Sequence, residues 1–296
     1  MIRLDNRVAI VTGAGGGLGR AHALLLAERG ARIVVNDIGP AAEAVADEIF
    51  AMGGEAISAM GSVTDEAFVN DMVAGAKSRW GRVDILVNNA GVLRDKTFAR
   101  MDLADFRLVV DVHLMGAVIC TKAVWNTMRE QGYGRVVMTT SSSGLFGNFG
   151  QSNYGAAKMA LVGLMQTLGL EGERYDIRVN CLAPTAATQM MEGILAGEML
   201  DRLKPEHVSP AILALVREDA PNRTILCAGA GGFEGARISM TKGVHVGAGN
   251  SDSAAEALVA RWEEVFDFSD DFTPHDALEQ SRLELAKAGY ATGGAQ

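Results

Sequence analysis

The chain has 296 residues, 48 % of them hydrophobic and 35 of them glycine, which suits one large α/β domain or two small ones and argues against a disordered chain. Its formal charge of −9 comes without a basic stripe, which argues against a nucleic-acid partner.

No uncharged apolar run approaches about 18 residues and the start lacks a signal-peptide pattern, so we expect no membrane span and a cytoplasmic location. Cys120, Cys181 and Cys227 lie far apart without metal-ligand spacing, so we expect buried thiols and no metal site.

Short β-branched runs alternate with longer amphipathic stretches over residues 1–230. This alternation predicts an α/β fold with a Rossmann-type, doubly wound parallel sheet of about seven strands, helices on both faces, and ligands beyond the carboxyl ends of the strands. The predicted strands are Val8–Thr12, Arg32–Asn36, Ala56–Ala59, Asp84–Asn88, Arg135–Thr139, Ile177–Cys181 and Thr224–Cys227. The predicted helices are Leu18–Arg29, Ala41–Met52, Asp65–Arg79, Asp102–Glu130 and Ser152–Glu171.

The segment 185–206 does not fit the alternation and is placed to act as a lid over a site at the strand ends. A pair of surface helices is the alternative. Its apolar side chains suit either a plastic apolar cover or helix packing, and they are Met190, Met191, Leu195, Met199 and Leu200.

Residues 231–296 form a C-terminal extension to the domain 1–230, either as part of the same domain or as a subunit contact. We expect the glycine-rich residues 228–235 to be loop and Ala254–Phe266 to be helical. Residues 251–296 carry ten carboxylates against three basic side chains, a net charge of −7. This acidic segment either caps the fold or reaches a neighbouring subunit.

A glycine-rich turn follows the first predicted strand and precedes a helix. Glycines at such a turn let the backbone approach a pyrophosphate, whose charge the helix N-terminus stabilises. Asp37, 20 residues beyond the last glycine before Leu18, is placed to bind the adenosine ribose and to repel a 2′-phosphate, so we expect NAD rather than NADP. A plain turn aspartate is the alternative. The turn positions expected to contact the dinucleotide are Gly13, Gly15, Gly17, Leu18 and Gly19.

Two further motifs lie downstream. The asparagine pair of Asn88–Gly91 can bond neighbouring strands and line the adenine side, or it is a polar strand-end turn. Tyr154 and Lys158 stand four residues apart and therefore share a helix face. An ammonium beside a tyrosine favours the phenolate and moves its pKa down from about 10 toward the working range. An incidental YxxxK on an ordinary helix is the alternative.

The motifs TGAGGGLG at 12–19, NNAG at 88–91 and YGAAK at 154–158, with Ser141 thirteen residues before Tyr154, resemble those of the short-chain dehydrogenase/reductase family. The resemblance covers residues 1–230 in the right order. It implies binding of NAD or NADP and hydride transfer between the nicotinamide and a carbonyl or secondary alcohol. It also implies that Tyr154 is the general base or acid, that Lys158 holds its phenolate and the nicotinamide ribose, and that Ser141, rather than the serines at 142 and 143, bonds the substrate oxygen.

Longer stretches, among them 88–101, 111–118, 134–158 and 203–210, are similar to the dehydrogenase unit of the peroxisomal multifunctional enzymes of type 2 and to free-standing bacterial relatives. That branch oxidises (3R)-hydroxyacyl-CoA to 3-ketoacyl-CoA with NAD, and some relatives oxidise steroid alcohols. The chain shows no hydratase or carrier segment and ends in no peroxisomal address, so we expect a stand-alone bacterial-type enzyme. A 17β-type steroid dehydrogenase or general carbonyl reductase is the alternative, and a non-catalytic dinucleotide-binding regulator is a remote one.

Three positions depart from the family pattern. His113 replaces the usual asparagine of the catalytic set, as in the multifunctional branch, and either belongs to the proton relay or is a packed helix residue. Ser62 stands where an aspartate often meets the adenine, and Thr185 replaces a glycine. The cofactor contacts that the resemblance implies beyond the glycine turn and Asp37 are Ser62, Val63, Asn89, Ala90, Gly91, Tyr154, Lys158, Pro184, Ala187 and Thr188.

Charge and surface patterns bear on the partners. Arg94, Lys96 and Arg100 follow NNAG and are either a dock for a coenzyme A phosphate or solvated loop charges. The helix Asp102–Glu130 and the helix carrying Tyr154 have apolar residues on more than one face. Family members pair these helices, so we expect a homodimer or homotetramer that acts on a small-molecule substrate, either an acyl-CoA or a steroid.

Overall fold

The computed structural model describes residues 1–186, 201–247 and 251–290. It divides into two compact units, Met1–Ala236 and Arg237–Gln296. The predicted segment 185–206 lies mostly outside the described residues, as do Ala187, Thr188 and the five apolar side chains proposed for a lid. The final residues 291–296 also lie outside them.

The first unit is built on one sheet with the strand order β3-β2-β1-β4-β5-β6-β7-β8. The first seven strands are parallel, and the eighth is antiparallel to the seventh. The predicted Rossmann-type fold is therefore confirmed. The strands are β1 Val8–Thr12, β2 Arg32–Asp37, β3 Ala56–Met60, β4 Ile85–Asn88, β5 Gly134–Thr139, β6 Ile177–Thr185, β7 Ile225–Gly229 and β8 Gly232–Ala236.

Helices cover both faces because the central strands are buried on both sides and read as continuous apolar runs. One core contains Leu26, Ile49 and Ile212 with one face of the sheet, and the other contains Val69 and Val124 with the opposite face. The helices of this unit are α1 Gly17–Glu28, α2 Ala41–Ala51, α3 Glu66–Trp80, α4 Leu103–Val110, α5 Gly116–Gln131, α6 Ser142–Phe146, α7 Ser152–Gly172 and α8 Pro210–Val216.

The eighth strand replaces the loop that we predicted from the glycines of 228–235. Gly229 pairs with Gly232, so only Ala230 and Gly231 lie in the turn. Both have positive φ, +51° and +79°, which is the conformation of a type I′ hairpin turn. The glycines that suggested a loop instead permit a tight two-residue hairpin.

The predicted helix Asp102–Glu130 is interrupted. A π-helical turn, Asp111–Met115, joins α4 to α5 and carries His113. Such turns are rare and often mark functional sites. Among the described residues, Leu103–Gln131 is also the one helical stretch long and apolar enough to cross a membrane, with a mean hydropathy of 1.6. Buried helices of globular proteins meet the same criterion, and α5 packs against β4 and β5.

The second unit contains short helices and one isolated antiparallel bridge between Met240 and Phe272. The predicted helix Ala254–Phe266 corresponds to two helices with a break at Arg261. No side chain described between residues 237 and 290 is buried. The helices are α9 Ser251–Ala260, α10 Trp262–Val265 and α11 Ala277–Lys287.

Candidate active site

The glycine turn lies where the strand order reverses between β1 and β4, the usual ligand crevice of such sheets. Gly13 and Gly17 have φ of +62° and +52°, a region that favours glycine. A Cβ on Gly13 would lie 2.7 Å from the Cα of Ala90, and one on Gly19 would lie 2.2 Å from the carbonyl oxygen of Gly13. The turn therefore excludes side chains where the backbone must pack closely, and the space beside Gly16 and Gly17 is open.

Asp37 ends β2 with its carboxylate against the glycine turn. Its Oδ2 accepts the backbone N–H of Gly15 at 2.9 Å, and Oδ1 accepts that of Ile38 at 2.7 Å. Helix α1 begins at Gly17 without a side-chain cap, so its first N–H groups are free to meet an anion. These residues fit a dinucleotide whose pyrophosphate lies at α1 and whose ribose lies near Asp37.

The two asparagines of NNAG have different tasks. Asn89 Nδ2 donates to the carbonyl oxygens of Thr12 and Gly13, at 3.0 and 3.1 Å, and thereby holds the glycine turn against the end of β4. Asn88 Nδ2 donates to Thr121 Oγ1 at 3.1 Å, while its buried Oδ1 has no partner in the described part of the chain. The motif is thus more than a polar strand end.

The remaining predicted cofactor positions border the same strand ends. Leu18, in the first turn of α1, packs against the core. Val63 is buried, and its side chain would lie 2.5 Å from a Cβ on Gly116 of α5. Ser62 Oγ shares a hydrogen bond of 2.7 Å with Thr64 Oγ1. Pro184 pairs with Ala228 near the end of β6.

Ser141, Tyr154 and Lys158 meet at the carboxyl ends of β5 and β6. Ser141 is the N-cap of α6 and is 7 % exposed, and its Oγ accepts the N–H of Ser143 at 3.1 Å. Lys158 Nζ lies 5.4 Å from the centre of the Tyr154 ring. The same ammonium donates to the carbonyl oxygen of Thr139 at 2.5 Å. The sequence spacing therefore brings the three predicted side chains into one cluster.

The titration of this cluster differs from the prediction that Tyr154 has a lowered pKa. Burial raises the pKa of Tyr154, the hydrogen bond with Ser141 lowers it, and the charge of Asp95 raises it further. Burial also lowers the pKa of Lys158 to about 7. The prediction assumed a fixed positive charge on Lys158, whereas the folded chain removes both groups from water and disfavours both charges.

His113 projects from the π-helical turn onto the ring of Tyr154. Its ring meets that of Tyr154 edge to face, with centroids 5.1 Å apart. Its Nε2 lies 2.7 Å from the carbonyl oxygen of Val92, and Nδ1 is buried without a partner among the described residues. Burial lowers the pKa of His113 to about 3, so the ring is neutral at working pH. Gly91 makes room for it, because a Cβ there would lie 2.2 Å from His113 Cε1.

Three residues that hold the site together were not predicted from the sequence. Thr12 Oγ1 accepts the N–H groups of Asn89 and Ala90, each at 3.0 Å. Thr139 supplies the carbonyl oxygen that holds Lys158, and Gln151 bridges α6 to the segment after β4. Thr12 and Gln151 lie inside or beside the quoted motifs, but a backbone acceptor such as that of Thr139 leaves no residue-type signal.

The three cations after NNAG are not equivalent. Lys96 Nζ pairs with Asp102 and Asp105 at 2.8 and 2.9 Å, and Arg94 Nε lies 3.8 Å from the carboxylate of Asp105. These carboxylates offset most of the positive charge predicted there. Arg100 is exposed at the end of the short 3₁₀ turn that begins at Phe98.

No group of three His, Cys, Asp or Glu side chains within 1–186, 201–247 and 251–290 is placed to hold a metal ion. Cys120 and Cys181 are buried as predicted, and Cys227 is only partly buried.

Comparison with known proteins identifies the arrangement. The family model described as short chain dehydrogenase matches residues 7–198. The chain belongs to the short-chain dehydrogenase family. It is 44 % identical over 277 residues to a short-chain type dehydrogenase/reductase of Mycobacterium tuberculosis, covering 90 % of this chain and 96 % of the relative. It is 42 % identical over 291 residues to the mouse peroxisomal multifunctional enzyme type 2, covering 95 % of this chain and 39 % of that enzyme.

Solved structures agree with this membership. The full-length peroxisomal multifunctional enzyme type 2 of Drosophila melanogaster matches with a TM-score of 0.84 at 37 % identity, over 97 % of this chain and 50 % of that one. A 7α-hydroxysteroid dehydrogenase complexed with NADH and 7-oxo glycochenodeoxycholic acid matches with a TM-score of 0.72 at 32 % identity, over 78 % of this chain and 95 % of that one. The chain thus spans half or less of the length of these two multifunctional enzymes.

This short-chain dehydrogenase is therefore an oxidoreductase that acts on CH–OH groups of small molecules, as its family and its dehydrogenase relatives show. A nicotinamide dinucleotide is the cofactor typical of the family, and the glycine turn and Asp37 fit one.

Proposed function

We propose that this short-chain dehydrogenase interconverts a 3-hydroxyacyl-CoA and the corresponding 3-ketoacyl-CoA with NAD. The observation that carries the proposal is the cluster of Ser141, Tyr154 and Lys158 at the strand ends, in a chain that matches the mouse multifunctional enzyme over 95 % of its length. Those relatives include peroxisomal hydratase-dehydrogenase-epimerases, at 42 % identity in Saccharomyces cerevisiae.

In the proposed reaction Tyr154 removes the proton from the substrate hydroxyl during oxidation and returns it during reduction. Ser141, already hydrogen-bonded to Tyr154, donates to the substrate oxygen and stabilises the charge that develops there. Lys158, held by the carbonyl oxygen of Thr139, stabilises the phenolate and binds the nicotinamide ribose. When bound, NAD accepts the hydride.

His113 has a positioning role in this proposal. Its neutral ring packs edge to face on Tyr154 and limits the orientations of the phenol. Because its Nε2 is engaged with Val92, only Nδ1 remains to bind a water in the proton path.

The choice of NAD over NADP rests on charge. The Asp37 carboxylate at the expected ribose position would repel a 2′-phosphate. Arg20, the basic residue of α1 nearest the glycine turn in sequence, is already paired with Glu48 through two hydrogen bonds. A comparison of initial rates with NAD and NADP tests this, and a preference for NADP would contradict it.

An apolar substrate is supported by aromatic side chains exposed beside the cluster. Phe146 and Phe149 follow Ser141 and are 75 % and 89 % exposed, and Phe98, on the segment after β4, is 77 % exposed. The backbone N–H of Lys96 donates a hydrogen bond to the carbonyl oxygen of Gly150 at 2.9 Å, so the two segments lie side by side. Since Lys96 is neutralised, Arg100 is the cation left to meet a coenzyme A phosphate.

A substrate panel tests the acyl-CoA assignment. We expect the rate of NAD-linked oxidation, read at 340 nm, to be higher for one enantiomer of a 3-hydroxyacyl-CoA than for 17β-hydroxysteroids and bile-acid alcohols. Because the chain also matches a 7α-hydroxysteroid dehydrogenase, steroid oxidation is the main alternative to the acyl-CoA assignment. Oxidation of small free alcohols only would contradict the proposal.

The role of Tyr154 is tested by Tyr154→Phe. Because the phenol performs the proton transfer, we expect kcat to fall about 10²–10⁴-fold while the Kd for NAD, measured by fluorescence quenching, stays within about twofold. Tyr175→Phe is the matched control, since that phenol lies at the surface beside Arg129. Retention of a tenth of wild-type turnover by Tyr154→Phe would refute the assignment.

Self-association is proposed through α5 and α7. Trp125, Leu164 and Leu168 pack on the core with part of their surface left exposed, and Met159 is 39 % exposed. A second copy would cover these surfaces. Light scattering at micromolar concentration should give a dimer or tetramer, and a strict monomer would contradict the proposal.

A further inference from the structure

Gln151 lies at the junction of the two segments that carry the catalytic side chains. It is the N-cap residue of α7, the helix of Tyr154 and Lys158, and its carbonyl oxygen accepts the N–H of Gly155 at 2.7 Å. Its side chain reaches toward α6, where Ser143 Oγ donates to its Oε1 at 2.7 Å. One residue therefore joins the helix of Tyr154 to the helix that begins after Ser141.

The orientation of the Gln151 amide is determined by its partners. Its Nε2 donates to Asp95 Oδ2 at 2.6 Å, and its Oε1 accepts from Asn148 Nδ2 at 3.0 Å as well as from Ser143. An ionised carboxylate can only accept, so the amide nitrogen must face Asp95 and the amide oxygen must face α6. The bond to Asp95 is charge-assisted and is the stronger kind.

The backbone on both sides of Asp95 is held in place through its neighbours in sequence. The N–H of Lys96 donates to the carbonyl oxygen of Gly150 at 2.9 Å, and Asn153 Nδ2 donates to the carbonyl oxygen of Arg94 at 2.9 Å. The segment after β4 is thus fastened on one side of Asp95 to the loop that precedes α7 and on the other to the first turn of α7.

From Gln151 the network continues to the catalytic serine. The N–H of Ser143 donates to Ser141 Oγ at 3.1 Å, which occupies an acceptor site of that oxygen and leaves its proton for Tyr154 or the substrate. Helix α6 has only five residues, too few to be stable without tertiary contacts. The side chain of Gln151 supplies such a contact at the first turn of α6, through Ser143.

We propose that Gln151, held by Asp95, is a positioning residue that orients Ser141 through Ser143 and keeps it aligned with Tyr154. This inference rests on the catalytic roles proposed above for Ser141 and Tyr154, and it concerns residues outside that set.

The charge of Asp95 supports the inference, because it acts on the same tyrosine. The groups that face Tyr154 are the Ser141 hydroxyl, the Lys158 ammonium, the neutral ring of His113 and, at longer range, Asp95. Asp95 is the negative member, and it raises the pKa of Tyr154. Its position therefore has a signature in the pH profile that a purely structural carboxylate would lack.

The first experiment is Gln151→Ala, measured as kcat on the best wild-type substrate and as the Kd for NAD. We expect kcat to fall about tenfold with the Kd within about twofold, because the serine is displaced while the dinucleotide site is untouched. Gln131→Ala is the matched control, since Gln131 also bonds through both ends of its amide, to Val83 and Tyr133. It should lower the melting temperature and leave kcat unchanged. A Gln151→Ala enzyme with wild-type kcat overturns the inference.

The second experiment is Asp95→Asn, which decides the matter if Gln151→Ala does not fold. Removing the negative charge favours the phenolate, so the limb of the kcat/KM profile that rises with Tyr154 deprotonation should move to lower pH. Asp102→Asn, which removes an exposed carboxylate of the next segment, should leave that limb in place. An unmoved limb together with a wild-type kcat in Asp95→Asn overturns the inference, because neither the charge of Asp95 nor its charge-assisted bond to Gln151 would then affect the catalytic side chains. Failure of the proposed function has a different signature, namely a wild-type enzyme that oxidises no substrate of the panel.

Discussion

Buried polar groups are paired differently at the two ends of the parallel strands. The side of the sheet where these strands begin is the amino edge, and the side where they end is the carboxyl edge. At the amino edge, Asp84 is fully buried and accepts from Arg7, from Arg82 and from the N–H of Val8. Arg135, also fully buried, donates to the carbonyl oxygens of residues 134, 176, 217 and 218 and to the carboxylate of Asp176. Both of these fully buried charges are paired, which is the condition under which burial of a charge is tolerated.

At the carboxyl edge, buried groups are left without partners. Asn88 Oδ1, His113 Nδ1 and Thr139 Oγ1 have none among the described residues, and the pKa of Lys158 is lowered to about 7. Unpaired buried polar atoms cost stability, so their concentration at one edge has a functional explanation. One edge stabilises the fold, whereas the other keeps polar groups free for cofactor, substrate and water.

The largest expected effect is at the amino edge. Asp84→Ala leaves the N–H of Val8 without its acceptor and separates Arg7 and Arg82 from their shared carboxylate, so the free energy of unfolding should fall by about 3–5 kcal/mol. Urea denaturation measures it. Asp219→Ala, which removes an exposed carboxylate paired with Arg217, should leave the midpoint unchanged. Equal losses in the two variants would mean that burial does not distinguish the pairs.

A smaller effect is expected for Lys158→Met at the carboxyl edge. The pKa of Lys158 is lowered from 10.5 to about 7 by folding, so the penalty on its charge is fully present below pH 7 and is relieved as the pH rises toward 10.5. The free energy of unfolding of the wild type should therefore rise relative to Lys158→Met by on the order of 2 kcal/mol between pH 7 and pH 9.

The control for this comparison is Lys96→Met. The pKa of Lys96 is raised by Asp102 and Asp105, so its replacement should change nothing between pH 7 and pH 9. Parallel stability profiles of the wild type and Lys158→Met over that range would show that Lys158 is not desolvated.

The smallest effect concerns His22, a buried histidine of α1. It belongs neither to the paired charges of the amino edge nor to the unpaired groups of the carboxyl edge. Its Nδ1 lies 2.8 Å from Ser209 Oγ, its Nε2 has no partner within the described chain, and burial lowers its pKa to about 3. Its lowered pKa makes the fold less stable as pH falls from about 6.5 toward 3, because the unfolded chain binds the proton first. His22→Asn keeps a donor for Ser209 and should remove about 1 kcal/mol of the acid sensitivity between pH 6 and pH 5.

Thermal unfolding at the two pH values measures this effect, with the exposed His207→Asn as control. The kcat of His22→Asn should equal that of the wild type, since an unpaired buried atom outside the carboxyl-edge cluster has no catalytic task. A loss of turnover would show that unpaired atoms do not discriminate the site from the rest of the core.

Strand β1 was predicted correctly from its continuous apolar run, and the predicted helix Asp65–Arg79 agrees with α3 to within one residue at each end. The hairpin at Ala230 was missed because positive φ at a non-glycine residue has no signature in residue type. The π-helical turn at His113 was missed because one extra residue per turn leaves the apolar pattern intact. The shared position of Tyr154 and Lys158 followed from spacing, because residues four apart lie on one face of a helix. Ser141 followed from the family resemblance, through its distance of thirteen residues from Tyr154.

The sequence by itself determined the order of strands and helices, the glycine turn and the residue types gathered at the carboxyl edge. Local backbone preferences and fixed spacing suffice for these. Only the tertiary structure decided which charges are paired, which stay buried without a partner, and in which direction the pKa values of Tyr154 and Lys158 move. Desolvation and long-range hydrogen bonds depend on atoms far apart in the chain, such as those of Asp95 and Gln151, and no local pattern encodes them.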